Sequence, residues 1–220
     1  MYGTGFFPTE AVNIYGVERD DLYLVGTSEV PVAAFHAQEI LEELPRRYVA
    51  YSTCFRREAG AAGKDTRGMF RVHQFDKVEM FVYCVPEASR DEHERLLAIE
   101  EGLVKELDLP YRVINVAAGD LGAPAVKKYD IEAWFPGQGR YREITSTSNT
   151  TDFQSRRLEI RFRRAGKPEF VHTLNATAIT ARAMIAILEN FQEADGSIDV
   201  PSALWEFGAP RKMGSGQVRA

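Results

Sequence analysis

The sequence predicts an α+β domain in which helices flank an antiparallel β-sheet. Many β-rich segments and a few helical ones share the 220 residues, without the regular βαβ alternation that a parallel sheet requires. A hydrophobic content of 45% in a chain of this length is enough for one sizeable core. We therefore expect one domain over residues 1–208, followed by a flexible tail over residues 209–220.

Hydrophobic periodicity assigns the elements in chain order. The strand segments are rich in β-branched and aromatic residues, and they lie at residues 21–25, 48–55, 72–85, 111–116, 128–135, 141–146 and 169–173. The helical segments repeat apolar residues every three or four positions, and they lie at residues 30–44, 87–109 and 176–191. Pro45 is expected to end the first helix. The polar segment after residue 55 predicts a long mobile loop between two antiparallel strands.

Charge and cysteine content restrict the class of protein. The net charge of -5 lacks the basic excess that is typical of a nucleic-acid-binding domain. Cys54 and Cys84 lie in strand-like apolar segments without a partner at metal-ligand spacing, so we expect two buried, reduced thiols. No apolar run approaches the roughly 20 residues of a membrane span, and no charged-then-apolar leader opens the chain. We therefore expect a soluble, cytoplasmic protein without a membrane partner.

The segment over residues 55–79 is the most informative motif, and it reads FRREAGAAGKDTRGMFRVHQFDKVE. Its arginines, carboxylates and aromatic rings can hold a nucleoside triphosphate beside a small charged substrate. Three further segments accompany it: TSE at residues 27–29, YREITSTSN at 141–149 and TLNATAITARAMIAILENFQ at 173–192. In order and spacing, the four segments resemble the seryl-tRNA synthetases, which are class II aminoacyl-tRNA synthetases.

The resemblance implies a reaction as well as a fold. A class II core has an antiparallel sheet flanked by helices, and a serine–tRNA ligase begins by activating L-serine with ATP. The serine carboxylate attacks the α-phosphate, giving seryl-adenylate and pyrophosphate. Both reactants are anionic, so the site must neutralise them and place them in line. The implied cofactor is Mg²⁺, held by Glu143 and Ser146, because oxygen donors suit this cation.

The same resemblance implies the ATP-binding residues, which are Arg56, Glu58, Val72, Phe75, Glu143, Ser146 and Arg182. Arg56 and Arg182 are the implied catalytic residues. Arg56 is expected to bridge the α-phosphate and the substrate carboxylate, for which a planar guanidinium is suited, and Arg182 to hold the γ-phosphate. Adenine is expected to stack on Phe75, with Glu58 at its edge.

The implied serine-binding residues are Thr27, Glu29, Arg56, Glu79 and Thr177. Glu79 and Thr177 are expected to contact the hydroxyl and ammonium groups of serine, while Thr27 and Glu29 complete the pocket. Buried polar groups that stay unpaired without the hydroxyl can reject alanine, and a tight wall can reject threonine.

The chain also departs from the family pattern. Family members carry an N-terminal coiled-coil arm that grips tRNA(Ser), and a motif 1 at their homodimer interface; here only residues 1–8, MYGTGFFP, resemble the end of motif 1. We therefore expect an N-terminally truncated core in which tRNA(Ser) binding and dimerisation are weakened. Ala176 also stands where a glycine is common, and it would crowd a ligand or strain a backbone that needs positive φ.

Two alternatives to a serine-activating core remain open. An armless paralogue would transfer an amino acid to a carrier protein or another non-tRNA acceptor; the complete serine-binding set and the missing Cys/His zinc pattern of such relatives argue against it. A noncatalytic regulator that keeps the fold would be expected to lose Arg56 or Arg182, and both are present.

Overall fold

The structure is a computed structural model that describes residues 1–59, 65 and 68–214. Its α-helices are α1 (Glu29–Ala34), α2 (Ser89–Glu106), α3 (Phe153–Leu158) and α4 (Ala181–Asn190). Its strands are β1 (Gly16–Val17), β2 (Leu22–Tyr23), β3 (Ile40–Leu41), β4 (Arg46–Phe55), β5 (Gln74–Cys84), β6 (Tyr111–Asn115), β7 (Lys127–Phe135), β8 (Arg140–Thr151), β9 (Arg161–Arg164), β10 (Lys167–Phe170), β11 (His172–Thr180), β12 (Ile198–Asp199) and β13 (Lys212–Met213).

A six-stranded sheet organises the molecule, with the strand order β4-β5-β11-β8-β7-β6. Every neighbouring pair in it is antiparallel, which confirms the predicted fold class. The predicted strands at 48–55, 72–85, 111–116, 128–135 and 141–146 correspond to β4 to β8. The register between β5 and β11 places Glu79 opposite Thr177.

The two faces of this sheet bury different side chains. On one face, Met80 of β5 and Leu174 of β11 pack with Leu96 of α2. Residues of α4 join the same layer, where Ala186 packs with Phe135 of β7. Because side chains alternate along a strand, the neighbouring positions in β5 and β11 point to the opposite face, which carries the polar residues Glu79 and Thr177.

Part of that opposite face is covered by a second, smaller sheet with the strand order β10-β9-β3. Phe162 of β9 and Leu41 of β3 form a cluster with Phe81 and Tyr83 of β5 and Ala33 of α1. In this sheet β3 runs parallel to β9, whereas β9 and β10 are antiparallel.

The predicted helix at 30–44 is wrong beyond its first turns, because α1 ends at Ala34. Gln38 has a φ of 66°, and its N–H donates to the carbonyl of Leu158 at 2.7 Å. Residues Ile40–Leu41 then pair with β9. Backbone partners from distant residues therefore override an amphipathic pattern that is helical when considered alone.

The predicted helix at 176–191 begins five residues too early. Residues 176–180 belong to β11, which lies between β5 and β8, so Ala176 pairs with both Met80 and Thr147. The helix starts only after Thr180, whose side chain accepts a hydrogen bond from the Arg182 N–H at 3.3 Å. Small residues such as alanine fit a crowded central strand as well as a helix, which explains the error.

Three further expectations concern other parts of the chain. Cys54 and Cys84 are both buried and free, as predicted. Lys212–Met213 forms β13 with β12, so strand pairing continues past residue 208 into the predicted tail, while residues 215–220 lie outside the described residues. The predicted mobile loop after β4 includes residues 60–64, 66 and 67, which also lie outside them. No helix among the described residues is long and apolar enough to cross a membrane.

Candidate active site

A cavity of about 520 Å³ opens on the polar face of the large sheet. Ten of the predicted site residues line it: Thr27, Glu29, Arg56, Glu58, Val72, Phe75, Glu143, Ser146, Thr177 and Arg182. Glu79 does not line the cavity but contacts Asn175 and Lys77, which do. The structure therefore brings together residues that are spread over most of the sequence.

Three arginines line the cavity: Arg56, Arg71 and Arg182. Arg142 lies over the same Phe70 ring as Arg182, and we call these four arginines the arginine end. Arg56 follows the last residue of β4, and its Nε donates to the carbonyl of Gly26 at 3.1 Å. Its guanidinium lies 5.3 Å from the centre of the Phe75 ring. Among the described residues, no carboxylate lies within ion-pair distance of Arg56. The hydrogen bond to Gly26 therefore holds Arg56 in place, and no carboxylate of the described residues neutralises its charge.

Arg182 lies in the first turn of α4. Its Nη1 donates to the carbonyl of Glu143 at 3.0 Å and is 3.9 Å from the carboxylate Oε2 of the same residue. The ring centre of Phe70 is 4.7 Å from its guanidinium. Burial lowers the pKa of Arg182, and the positive charges of Arg56, Arg71 and Arg142 act in the same direction against the attraction of Glu143. An arriving polyanion would relieve this repulsion.

Two ion pairs organise the rest of the arginine end. Arg71 donates to the Glu58 carboxylate, so the group expected at the adenine edge is held by an arginine. Glu58 also has a φ of 53°, an uncommon conformation for a residue with a side chain. Arg142 pairs with Asp65 at 2.5 Å, and its guanidinium lies 3.9 Å from the ring centre of Phe70.

Carboxylates gather at the other end, which we call the acid end: Glu29 and Glu79. The Asn175 side chain joins them, because its Nδ2 donates to Glu29 Oε2 at 3.0 Å and to Glu79 Oε1 at 3.3 Å. Lys77 forms an ion pair with Glu79, and Gln154 Nε2 donates to Glu29 Oε1 at 2.7 Å. All of these groups belong to one connected, largely buried network.

Burial, together with the nearby negative charge of Glu79, raises the pKa of Glu29 to about 7 against the opposing effects of Lys77, Gln154 and Arg56. This carboxyl group therefore changes its charge near neutral pH. The Asn175 Oδ1 atom is buried and accepts no hydrogen bond from the described residues. An acceptor of this kind at a cavity wall suits a ligand that carries a donor group.

Two threonines, Thr27 and Thr177, add hydroxyl groups to the cavity. Thr27 Oγ1 accepts the backbone N–H of Glu29 at 3.1 Å, which fixes the first turn of α1. Thr177 lies across from Glu79 in the β5–β11 register, so its side chain points to the same face as that carboxylate. Both threonines are buried and line the cavity.

Ala176 does not disturb this site. Its side chain packs in the cluster of Leu96 and Leu174 on the helix-covered face of the sheet. It is not among the described residues with positive φ. The crowding that the sequence suggested at this position is therefore absent.

Several cavity residues were missed by the sequence analysis: Phe70, Arg71, Lys77, Asn175 and, behind them, Gln154. The first four lie inside the motif segments at 55–79 and 173–192, so the signal was present in those motifs. Gln154 has no such signal, because α3 was not predicted at all.

Comparison with known proteins identifies the family. Residues 14–191 match the family model described as "tRNA synthetase class II core domain (G, H, P, S and T)". The chain belongs to this class II core-domain family. The match includes all of the residues that were predicted to form the site.

Relatives of this class II core include the serine–tRNA ligase of Thermobifida fusca, 60% identical over 94% of the chain. Among solved structures, the chain is similar to seryl-tRNA synthetase from Pyrococcus horikoshii complexed with ATP, with a TM-score of 0.93 and 54% identity over 96% of the chain. It is also similar to the cytoplasmic serine–tRNA ligase of Naegleria fowleri in complex with AMP, with a TM-score of 0.90 and 40% identity over 97% of the chain. The chain covers 50%, 48% and 52% of these three proteins, respectively, so it spans about half their length.

Proposed function

We propose that this class II core activates L-serine with ATP, giving seryl-adenylate and pyrophosphate. The observation that carries the proposal is that one cavity is lined both by arginines of the arginine end and by Glu29 and Asn175 of the acid end, which belong to a separate hydrogen-bonded network. The first suits a polyphosphate and the second suits an ammonium group. An amino acid placed between them would direct its carboxylate toward the arginines. The ATP- and AMP-bound relatives support a nucleotide in the same cavity.

Arg56 is proposed to act at the reacting atoms. The serine carboxylate oxygen forms a bond to the α-phosphorus, the bond from that phosphorus to the bridging oxygen breaks, and pyrophosphate leaves with the electron pair. The guanidinium of Arg56 neutralises both anions as they approach. Arg182 is proposed to hold the γ-phosphate, so that the leaving group stays in line.

The acid end is proposed to bind the ammonium and hydroxyl groups of serine. Two carboxylates and one lysine leave an excess of one negative charge when Glu29 is ionised, which matches one ammonium group. The buried Asn175 Oδ1 atom and the Thr177 hydroxyl add polar partners for the ligand. Alanine would leave one of these groups unpaired, so the site would bind it less tightly than serine.

Phe75 and Val72 are proposed to contact adenine, with Glu58 at its edge. Both Phe75 and Val72 line the cavity, and the ring of Phe75 also faces Arg56. A flat base stacked on the Phe75 ring would bury apolar surface against this ring and against Val72.

Glu143 and Ser146 are proposed to hold Mg²⁺. They offer a carboxylate and a hydroxyl oxygen at the cavity wall, which is a donor set that this cation accepts. No group of three metal-ligating side chains occurs among the described residues, so phosphate oxygens and water would complete the coordination. The metal would neutralise the charge of the polyphosphate.

Transfer of serine to tRNA(Ser) and assembly as a homodimer are further proposals. The first is supported by the serine–tRNA ligases that the chain resembles and of which it spans about half, and the second only by the family resemblance of the sequence. Both can be measured on the chain directly, by charging assays with tRNA(Ser) and by sedimentation equilibrium.

The experiment that tests the proposed function is amino-acid-dependent ATP–pyrophosphate exchange without tRNA. Serine, alanine, glycine and threonine would be compared, with and without Mg²⁺. Exchange with serine alone, and only with the metal, is the expected result. Exchange with another amino acid instead would favour the armless paralogue, and no exchange with any of them would contradict the proposal.

A further inference from the structure

A chain of buried hydrogen bonds extends from the sheet to the acid end. Gln154 in α3 is fully buried and does not line the cavity. Its Nε2 donates to Glu29 Oε1 at 2.7 Å, and its Oε1 accepts from Thr173 Oγ1 at 2.9 Å. Thr173 is fixed in turn by Thr150, whose Oγ1 donates to the Thr173 carbonyl at 2.8 Å. Both the NH₂ group and the oxygen of the Gln154 amide therefore have hydrogen-bond partners inside the protein.

The Glu29 carboxylate determines the orientation of the Gln154 amide. Because an ionised carboxylate can only accept hydrogen bonds, the NH₂ group faces Glu29 and Oε1 faces the Thr173 hydroxyl. The second oxygen of Glu29, Oε2, then faces Asn175 and the cavity. A carboxylate without the Gln154 contact could rotate about its side-chain bonds, so the contact fixes the position and direction of the oxygen that a ligand meets.

We propose that Gln154 is a positioning residue for serine activation: it anchors the Glu29 carboxylate so that the second oxygen is presented to the substrate ammonium. Gln154 acts through Glu29 and does not contact the substrate. The inference rests on the proposed function, since it assigns a use to the acid end of that site. The small helix α3 thereby gains a role in amino-acid binding.

The electrostatics of Glu29 support the same role. Burial and the charge of Glu79 raise the pKa of Glu29, while Lys77, Arg56 and the hydrogen bond from Gln154 lower it. The amide thus favours the charged carboxylate that an ammonium group requires. Removing it should leave Glu29 protonated over a wider pH range.

The variant Gln154→Met tests the proposal, because methionine keeps the length of the side chain and cannot donate. In exchange assays on the full chain, we expect the KM for serine to rise roughly tenfold or more, the loss typical of a hydrogen bond to a charged group, with the KM for ATP nearly unchanged. The acidic limb of the serine KM profile should also move to higher pH. Thr173→Val removes the hydrogen bond that the Thr173 hydroxyl donates to Gln154, so it should change the KM for serine in the same direction but by less. This variant replaces Gln154→Met in the test if Gln154→Met does not fold.

Ser155→Ala is the matched control. Ser155 is the next residue in α3, is equally buried, and donates to the carbonyl of Val171 rather than to the acid end. We expect it to lower the thermal midpoint without changing the KM for serine or its pH profile. Equal changes in the KM for serine in Ser155→Ala and Gln154→Met, or no change in the latter, would overturn the proposal.

A second readout separates this inference from the proposed function. In the ligand-free chain, the side-chain carboxyl of Glu29 can be titrated by ¹³C NMR and assigned with Glu29→Gln. We expect its pKa to rise in Gln154→Met, and an unchanged value would overturn the anchoring role even if the wild-type chain shows no serine exchange. Serine exchange by the wild-type chain together with an unchanged Gln154→Met variant would refute the inference and leave the proposed function standing.

Discussion

The two ends of the cavity hold their charges in opposite ways. At the arginine end, burial lowers the pKa of Arg182, and the positive charge of Arg56 lowers it further. At the acid end, Glu29 and Glu79 are joined by the Asn175 amide and partly neutralised by Lys77. Arg56 has no carboxylate partner among the described residues, whereas the carboxylates of the acid end already have hydrogen-bond partners within the protein. We therefore expect changes at the arginine end mainly to lower the exchange rate, and changes at the acid end mainly to raise the KM for serine.

The largest effect is expected at Arg56. Arg56→Ala should lower the rate of ATP–pyrophosphate exchange by roughly 10³-fold or more, because no other described group would neutralise the reacting anions at the same place. The matched control is Arg57→Ala, since Arg57 is the next residue but lies over the Tyr15 ring, 5.4 Å away, and does not line the cavity. Circular dichroism of both variants should match the wild type. Full activity of Arg56→Ala would remove the proposed distinction between the two ends.

A smaller, selective effect is expected at Glu79. Glu79→Gln keeps the shape and removes the charge that pairs with Lys77, so the KM for serine should rise by roughly one to two orders of magnitude while the KM for ATP changes little. Asp76→Asn is the control on the same strand, because Asp76 accepts from Thr53 and does not line the cavity. An equal rise in both KM values would show that Glu79 supports the whole cavity rather than the amino-acid end.

The third effect is a dependence on pH. Since burial raises the pKa of Glu29 to about 7, the carboxyl group gains a proton as the pH falls below that value and no longer attracts an ammonium group. The KM for serine should therefore increase about tenfold per pH unit below 7, with little change in the KM for ATP. The measurement is serine-dependent exchange between pH 5.5 and 8.5, with Glu29→Gln as the variant that should lose this slope. A flat wild-type profile would contradict the assignment of Glu29.

The smallest effect on activity, but a clear one on stability, is expected on the other face of the sheet. Glu100 of α2 is fully buried, and neither carboxylate oxygen has a hydrogen-bond partner among the described residues. Burial raises its pKa to about 9. A raised carboxyl pKa means that the folded state keeps a proton which the unfolded chain releases, so stability falls as the pH rises from about 4.5 to 9.

Glu100→Met should therefore be more stable than the wild type at pH 7, by on the order of 3 kcal/mol, and the difference should shrink toward pH 4.5. Denaturant unfolding at several pH values measures it, and Glu106→Gln, an exposed position on the same helix, is the control. We expect the exchange rate to stay near the wild-type value. A stability difference that does not vary with pH would show that Glu100 is ionised in the folded protein.

Local hydrophobic periodicity predicts much of the fold, and the two segments wrongly predicted as helix share one physical cause. The β4–β5 pair and α2 were predicted close to their observed bounds, because their periodicity extends over ten or more residues. Residues 35–44 and 176–180 were predicted as helix and are not, since their backbone partners lie far away in the sequence, on β9 and on β5 and β8. Such partners leave no trace in the local sequence.

The same division applies to the site. The motif residues Arg56, Phe75 and Arg182 were identified from the sequence, and the structure places them in one cavity. The sequence did not reveal that Glu58 would pair with Arg71, or that Gln154 would support Glu29 from a helix that was not predicted. Contacts behind the cavity wall depend on how separate elements pack, and no motif spacing encodes them.

The sequence by itself determined the family resemblance, the antiparallel architecture and the chemical types of the groups that could bind a nucleotide and an amino acid. Only the tertiary structure decided that these groups divide into two ends of one cavity, and that Asn175 holds Glu29 and Glu79 together. The physical reason is that residue type fixes charge and hydrogen-bonding capacity, whereas the burial and neighbours that shift a pKa arise when β5, β11, α1 and α3 pack around the same polar groups.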